Sequence, residues 1–210
     1  MTGSPQSRYS ADAPFSFVGG DVSLDLVNTT DWTERGLESD RLTDYGRVLQ
    51  WARGAGIVSP SDERRLRQYA DAHPRQAAAA YNATMHTREV LQRVFASVAT
   101  DRLAASQLDD LNKLLVDSAK RVRIERASGG RQARLTRTWA GFGESLESVL
   151  WPVVWSAAEL LASEETDALK ICAGIDCGWM YVDRSRNHLR RWCEMATCGT
   201  TAKNRRRADR

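Results

Sequence analysis

All four cysteines of this 210-residue chain fall in its last thirty-nine residues, as Cys172-x4-Cys177 and Cys193-x4-Cys198 with fifteen residues between the pairs. Two short Cys-Cys loops at this separation can bring four thiolates onto one tetrahedral ion, and zinc is the usual occupant of an all-thiolate site in a small domain. Disulfides, inert buried thiols and an iron–sulfur centre are the alternatives. Residues 1–14 carry neither a basic start nor an apolar run, so no secretory leader is read there and a reducing, cytoplasmic setting is expected. Such a setting disfavours stable disulfides. The other 171 residues contain no cysteine, which argues against a chance cluster of core thiols, and nothing else suggests redox work.

Between the pairs, Trp179-Met180-Tyr181-Val182 reads as a strand, 183–188 as a polar turn, and Leu189-Arg190-Arg191-Trp192 as a return strand into Cys193. A helix is expected next, capped by Thr197 with Cys198 in its first turn, where the helix dipole favours thiolate charge. Knuckle, hairpin, knuckle, helix is a treble-clef-like order. One structural zinc bound by Cys172, Cys177, Cys193 and Cys198 is the expectation.

Several stretches carry a resemblance. Leu169-Lys170-Ile171-Cys172, Cys177-Gly178-Trp179, Asp183-Arg184-Ser185-Arg186-Asn187 and Arg191-Trp192-Cys193-Glu194-Met195-Ala196-Thr197-Cys198-Gly199, with Ala202-Lys203 behind them, resemble the CGNR-type zinc finger. That finger ends a bacterial family whose N-terminal part is the ABATE domain. The opening, Phe17-Val18-Gly19-Gly20 and then Leu24-Asp25-Leu26-Val27-Asn28-Thr29, is similar to the family's opening. The resemblance implies a stress-induced transcription regulator with the four cysteines as zinc ligands. One departure stands out: the family's Cys-Gly-Asn-Arg is here Cys198-Gly199-Thr200-Thr201, so any role of that Asn and Arg is lost or moved.

The net charge of +3 conceals a segregation. Residues 170–210 hold ten Lys or Arg against four Asp or Glu, while residues 1–169 hold 20 against 23. A basic footprint on a neutral-to-acidic body suits a small domain that meets a polyanion. Only Lys113, Lys120, Lys170 and Lys203 among the thirty basic residues are lysine. Arginine's planar fork suits phosphate and guanine edges, although a GC-rich genome gives the same bias without explaining the segregation.

Along the chain, residues 1–14 read as a disordered tail and 15–164 as a mainly helical sensing or dimerisation domain with a small β-hairpin. Residues 169–210 are the finger. The fold class is thus mainly α (α+β). Phe15-Ser16-Phe17-Val18 could form a short strand; Asp21 or Ser23 should cap a helix that turns Leu24, Val27 and Trp32 inward, and residues 32–40 look like loop. Helices are expected at about 42–53, from Ser59-Pro60 to His73-Pro74, at 75–100, and after a Ser106/Asp109 capping box. Val122, Ile124 and Ala127, a Ser128-Gly129-Gly130 turn and an alternating 131–138 signal a hairpin. A helical pattern over 143–163 should be kinked or divided by Pro152. Its Trp151-Pro152-Val153-Val154-Trp155 run is core or a dimer seam, and 164–168 is a hinge. No apolar run is long enough to span a membrane.

Arg88 lies on the apolar stripe of the 75–100 helix. It could bind an anionic ligand, a possible small-molecule effector, or pair with a core carboxylate such as Asp25 or Asp44. No phosphate loop, dinucleotide fingerprint or nucleophile elbow is present, and His73, His86 and His188 are scattered, so enzymatic function is not expected. These features point to a regulator that binds double-stranded DNA, with a homodimer as the expected assembly. Candidate contacts are Arg184, Arg186, Arg190 and Arg191 from the finger's hairpin, and Thr200, Lys203, Arg206, Arg207 and Arg210 on its final helix. Rival readings are a zinc-stabilised protein-interaction module and RNA binding through Trp179, Tyr181 and Trp192. Loss of a cysteine ligand should unfold the finger and leave the body's melting nearly unchanged if the two parts fold independently.

Overall fold

The computed structural model describes residues 15–33, 36–127 and 134–208. The expected tail at 1–14, the turn at 128–130 and Arg210 lie outside these residues, as do the side chains of 32–38, Trp32 among them. The described architecture is mainly helical with three small antiparallel strand pairs.

The chain begins without the expected strand at 15–18. Helix α1 (Val22–Val27) follows, with the Asp21 carboxylate accepting from the Ser23 N–H at 2.8 Å. Every residue from Ser23 to Val27 is buried, because the helices Pro74–Ala99 and Leu150–Leu161 and the strand Met180–Val182 pack around this one short helix. The 32–40 stretch forms strands, not loop: β1 (Thr30–Thr33) pairs antiparallel with β2 (Gly36–Asp40). Polar composition hides this pair, since two ion pairs at its open end, one buried and one half-buried, fix it in place of apolar alternation. Arg41 meets Asp31 at 2.7 Å, and the Arg88 guanidinium grips Asp40 through both nitrogens, one at 2.8 Å.

Helix α2 (Tyr45–Gly54) starts three residues later than its apolar spacing suggests, because the Asp44 carboxylate accepts from the Arg47 N–H. Helix α3 (Pro60–Ala72) is capped by Ser59 with Pro60 in its first turn, and α4 (Pro74–Ala99) is the longest element. Helix α5 (Ala105–Arg121) does not use Ser106 as its cap; the side-chain amide oxygen of Gln107 folds back to accept from the Ala104 N–H at 2.9 Å. The hairpin of β3 (Val122–Arg126) and β4 (Leu135–Trp139) forms where alternation places it. The 143–163 pattern is divided: a 3-10 turn (Leu146–Val149) precedes α6 (Leu150–Leu161), so Pro152 falls in a first turn, where its missing N–H costs nothing. Trp151, Val153 and Val154 are buried, which makes this run core.

The finger differs from its expected hairpin. Strand β5 (Leu169–Ile171) pairs with β6 (Met180–Val182), and the first cysteine loop is the turn between them. Residues 189–192 form no strand. Asp183 takes that place: buried, it accepts from Lys170 Nζ at 2.6 Å, from Ser185 and from the Arg190 N–H at 2.9 Å, and so closes the 183–190 loop through a side chain. Burial alone would raise this carboxyl, but the Lys170 ammonium and the Ser185 donors outweigh it and hold it well below the usual carboxylate range. The last helix, α7 (Thr200–Ala208), is preceded by a π turn (Met195–Gly199), so Thr197 is not its cap.

One apolar cluster runs through both parts, joining Leu24, Leu49, Leu91, Phe95 and Val153 of the body to Leu169, Met180 and Val182 of the finger. Each such side chain stabilises the fold by about 1.5–3 kcal/mol. Polar stitches follow the same seam. The Asn28 amide donates to the Met180 carbonyl and accepts from its N–H, both at 2.8 Å, and Trp179 Nε1 donates to the Thr30 carbonyl at 2.9 Å. The Val182 N–H donates to the Gly19 carbonyl at 2.8 Å. The 164–168 segment is no loose hinge: it is a capped 3-10 turn (Glu164–Ala168) whose Glu165 pairs with Arg184 and whose Ala168 carbonyl accepts from the Asp183 N–H.

Removing the Asn28 amide strands two buried backbone groups of β6, each worth about 1–3 kcal/mol when unsatisfied. Asn28→Ala should therefore lower stability by about 2–4 kcal/mol in a urea titration of the zinc-loaded chain. A loss below about 1 kcal/mol would show that this seam is not held by the amide.

Candidate metal centre and basic surface

Cys172 follows β5 directly, and its N–H donates to the Trp179 carbonyl at 2.8 Å, extending the β5–β6 ladder to the mouth of the first loop. That loop closes through Asp176, in the left-handed region at φ 55°, which brings Cys177 back toward Cys172. Gly174 inside it has no room for a side chain: a Cβ there would lie 2.9 Å from Cys198 Sγ and 3.3 Å from Cys172 Sγ. In the second loop the π turn's extra residue rotates Cys198 inward, and the Gly199 N–H reaches back five residues to the Glu194 carbonyl at 3.1 Å. Gly199 is less constrained: a Cβ there would meet only the flexible, exposed Met195 side chain, which can move aside.

The four sulfurs are buried, unbridged and within 4.8 Å of one another. Cys177 to Cys193 and Cys193 to Cys198 are each 3.7 Å. A disulfide needs about 2.05 Å. A tetrahedral zinc with bonds near 2.3 Å sets sulfur–sulfur edges near about 3.8 Å, so the spacing fits one such ion. The electrostatics agree. Hydrogen bonds from the Cys177 and Cys193 thiols and from the Cys193 N–H lower the Cys172 thiol to about 7, while Cys177 and Cys193 are pushed up, first by the hydrogen bonds their thiols give to Cys172 and then by burial. Four thiolates in this volume require a cation. Backbone N–H groups of Gly174 at 3.3 Å and Cys193 at 3.2 Å already point at Cys172 Sγ, a support common around metal-bound sulfur.

Residues 168–210 match the CGNR zinc finger, and residues 20–164 match ABATE, described as "Putative stress-induced transcription regulator". The chain belongs to the ABATE family. A search of curated proteins finds no match. The centre is accordingly one structural zinc held by Cys172, Cys177, Cys193 and Cys198. Four protein sulfurs leave no position for water or substrate, so the ion supplies order and not catalysis.

The structure divides the basic residues of this ABATE-family finger into two groups. Arg184 is engaged with Glu165 and the Gly20 carbonyl. Arg190 lies over the Tyr181 ring at 4.1 Å and donates to the carbonyls of Trp192, Val18 and Cys193. Both arginines tie the finger to the chain's opening. Arg186, Arg191, Lys203, Arg206 and Arg207 are exposed, with no ion pair among the described residues; Thr200 is exposed beside them, its hydroxyl on the Met195 carbonyl at 3.1 Å. On α7, Thr200, Lys203, Arg206 and Arg207 share one arc, and exposed Arg205 stands off it.

Arg88 is not open to a ligand: it is buried, held by Asp40 and by Thr29 Oγ1 at 3.0 Å. The core-carboxylate pairing is found, with Asp40 in place of Asp25 or Asp44. Asp25 instead accepts the Gly19 N–H at 2.8 Å, and burial raises its carboxyl to about 6. Sequence reasoning also missed Asn28, Arg41 and Asp183. Asn28 and Asp183 fall inside the quoted resemblance stretches, which was the available signal. Arg41, which lies over the Trp179 ring at 5.1 Å, gave none.

Gly174→Ala should weaken zinc retention by about tenfold or more, the scale of effect seen when groups supporting a metal's ligands are disturbed. Competition with a coloured chelator reads this directly. An unchanged affinity would mean the loop relaxes around the methyl group.

Proposed function

We propose that this chain is a non-enzymatic, double-stranded-DNA-binding transcription regulator, whose zinc-ordered finger presents a basic surface to the phosphate backbone. The observation that supports it most is the set of exposed side chains without ion pairs on one small lobe: Arg186, Arg191, Lys203, Arg206 and Arg207. Phosphate contacts from such residues give affinity without sequence information. The family's description as a transcription regulator points the same way, and the two Thr residues after Cys198 leave base reading to other side chains.

RNA recognition by stacking has less support. Trp179 and Tyr181 are buried, and Trp192 is half-buried beneath Arg191 at 5.4 Å, so no open aromatic platform remains among them. An effector site at Arg88 has none, because its guanidinium is already satisfied. Among the described residues, no helix is long and apolar enough to cross a membrane. A reducing compartment such as the cytoplasm suits four free thiolates.

A salt titration of binding to random duplex tests the proposal. About four to six phosphate contacts give a log–log slope near −4 to −5. Replacing Lys203, Arg206 and Arg207 together by alanine should reduce that slope by about 2–3 while zinc content stays at one per chain. Absence of duplex binding at low salt would refute the proposal, and capture of an acidic protein partner instead would support an interaction module.

A further inference from the structure

The β3–β4 hairpin stands off the helical body. Arg123, Ile124, Glu125 and Arg126 are all exposed, and Ile124 and Leu135 are 66% and 71% exposed. With Ile124 across from Arg137 and Arg126 across from Leu135, these two apolar side chains lie on the same face. The Ala127 N–H donates to the Arg134 carbonyl at 2.8 Å, and the Ala140 N–H to the Arg121 carbonyl at 2.7 Å. Hydrogen-bonded pairs recur at every second residue of an antiparallel ladder, so Arg123 and Glu125 direct their backbone groups to β4. Val122, Ile124 and Arg126 direct theirs to the opposite edge, where no described strand pairs.

We propose that this edge of β3 pairs with itself, joining two copies of the chain through antiparallel β3 strands around a two-fold axis at Ile124. In that register Arg123 of each copy falls opposite Glu125 of the other, and Ile124 meets Ile124. Opposite charges across strands stabilise a sheet, and like charges destabilise it. Neighbouring registers fail on this count. Centring on Arg123 or on Glu125 sets that charged residue against itself, centring on Val122 sets Arg121 against Arg123, and centring on Arg126 sets that arginine against itself. Strand β4 carries no acidic residue, and its Arg137 is already held by Glu159. The charge pattern therefore selects one edge and one register. The product is a four-stranded sheet with Ile124 and Leu135 of both copies forming one apolar strip, which accounts for two large apolar side chains left in solvent. Arg123, whose guanidinium folds back onto the Lys120 and Val122 carbonyls at 3.1 and 2.8 Å, swings outward to reach its partner. The pairing does not depend on nucleic-acid binding.

Sedimentation equilibrium of the full, zinc-loaded chain across a dilution series tests it. The wild type should show a concentration-dependent dimer, and Ile124→Lys should raise its dissociation constant by roughly tenfold or more, through like charges placed across the axis. Arg123→Glu should weaken the dimer too, and Arg123→Glu combined with Glu125→Arg should restore it. Circular dichroism and zinc content should stay unchanged throughout, since the hairpin lies outside the core. A wild type that is monomeric at every concentration, or a dimer that survives Ile124→Lys, overturns the proposal. Failure of the double exchange to restore pairing overturns the register.

Discussion

Sulfur–sulfur distances of 3.7 Å, too long for a covalent bond and matched to the edge of a tetrahedron around one zinc, are the constraint from which the last forty residues take their shape. That segment's own secondary structure is too slight to order the two cysteine loops. β5 and β6 are three residues each, and α7 buries none of its side chains. The ion closes the first loop against the second, the second carries the π turn, and the π turn aims α7. Without the metal, the two loops would have no common anchor. The basic side chains of α7 and of the 183–192 loop owe their fixed arrangement to that anchor.

The finger is not an appendage. Its strand β6 belongs to the same apolar cluster as α1 and α4, and α1, the most buried element of the body, contacts that strand directly. The chain's opening lies between the two parts like a strap. Val18, Gly19 and Gly20 give their carbonyls to Arg190, Val182 and Arg184 of the finger, while the Gly19 N–H goes to Asp25 of α1. Trp179 completes the joint, its indole on the Thr30 carbonyl and its ring under Arg41. Order imposed by the metal therefore reaches the body through hydrogen bonds and packing that are already in place. This joint, more than the cysteine cluster alone, distinguishes the molecule from a finger on a flexible tether.

How far the sequence disclosed this depended on whether the deciding interaction was local. Caps and periodicity placed α3, α4 and the β3–β4 hairpin well, because Ser59 and alternating or periodic residues act over a few positions, whereas Asp44, the cap that sets the start of α2, is not among the expected caps. Cysteine spacing disclosed the metal centre for the same reason. The β1–β2 pair was hidden because Arg41 and Arg88 hold its open end, and the latter lies 48 residues from its partner Asp40. The return strand at 189–192 was expected where Asp183 in fact does the bonding with a side chain, and its polar neighbourhood looked like ordinary turn. Charge segregation pointed to the basic finger. It could not separate Arg184 and Arg190, which hold the fold together, from Arg186 and Arg191, which face solvent. Only the positions of Glu165, Val18 and Tyr181 make that distinction.

Thermal unfolding of the full chain, followed by its helical signal with zinc bound and after chelation in reducing buffer, tests the central claim most directly. If the ion orders a lobe that shares its core with the helices, the metal-loaded chain contains one zinc and melts in a single transition. Stripping the zinc should move the melting of the whole helical signal downward by several degrees or more. A body that melts at the same temperature with and without zinc would contradict it, as would a purified chain that retains no metal.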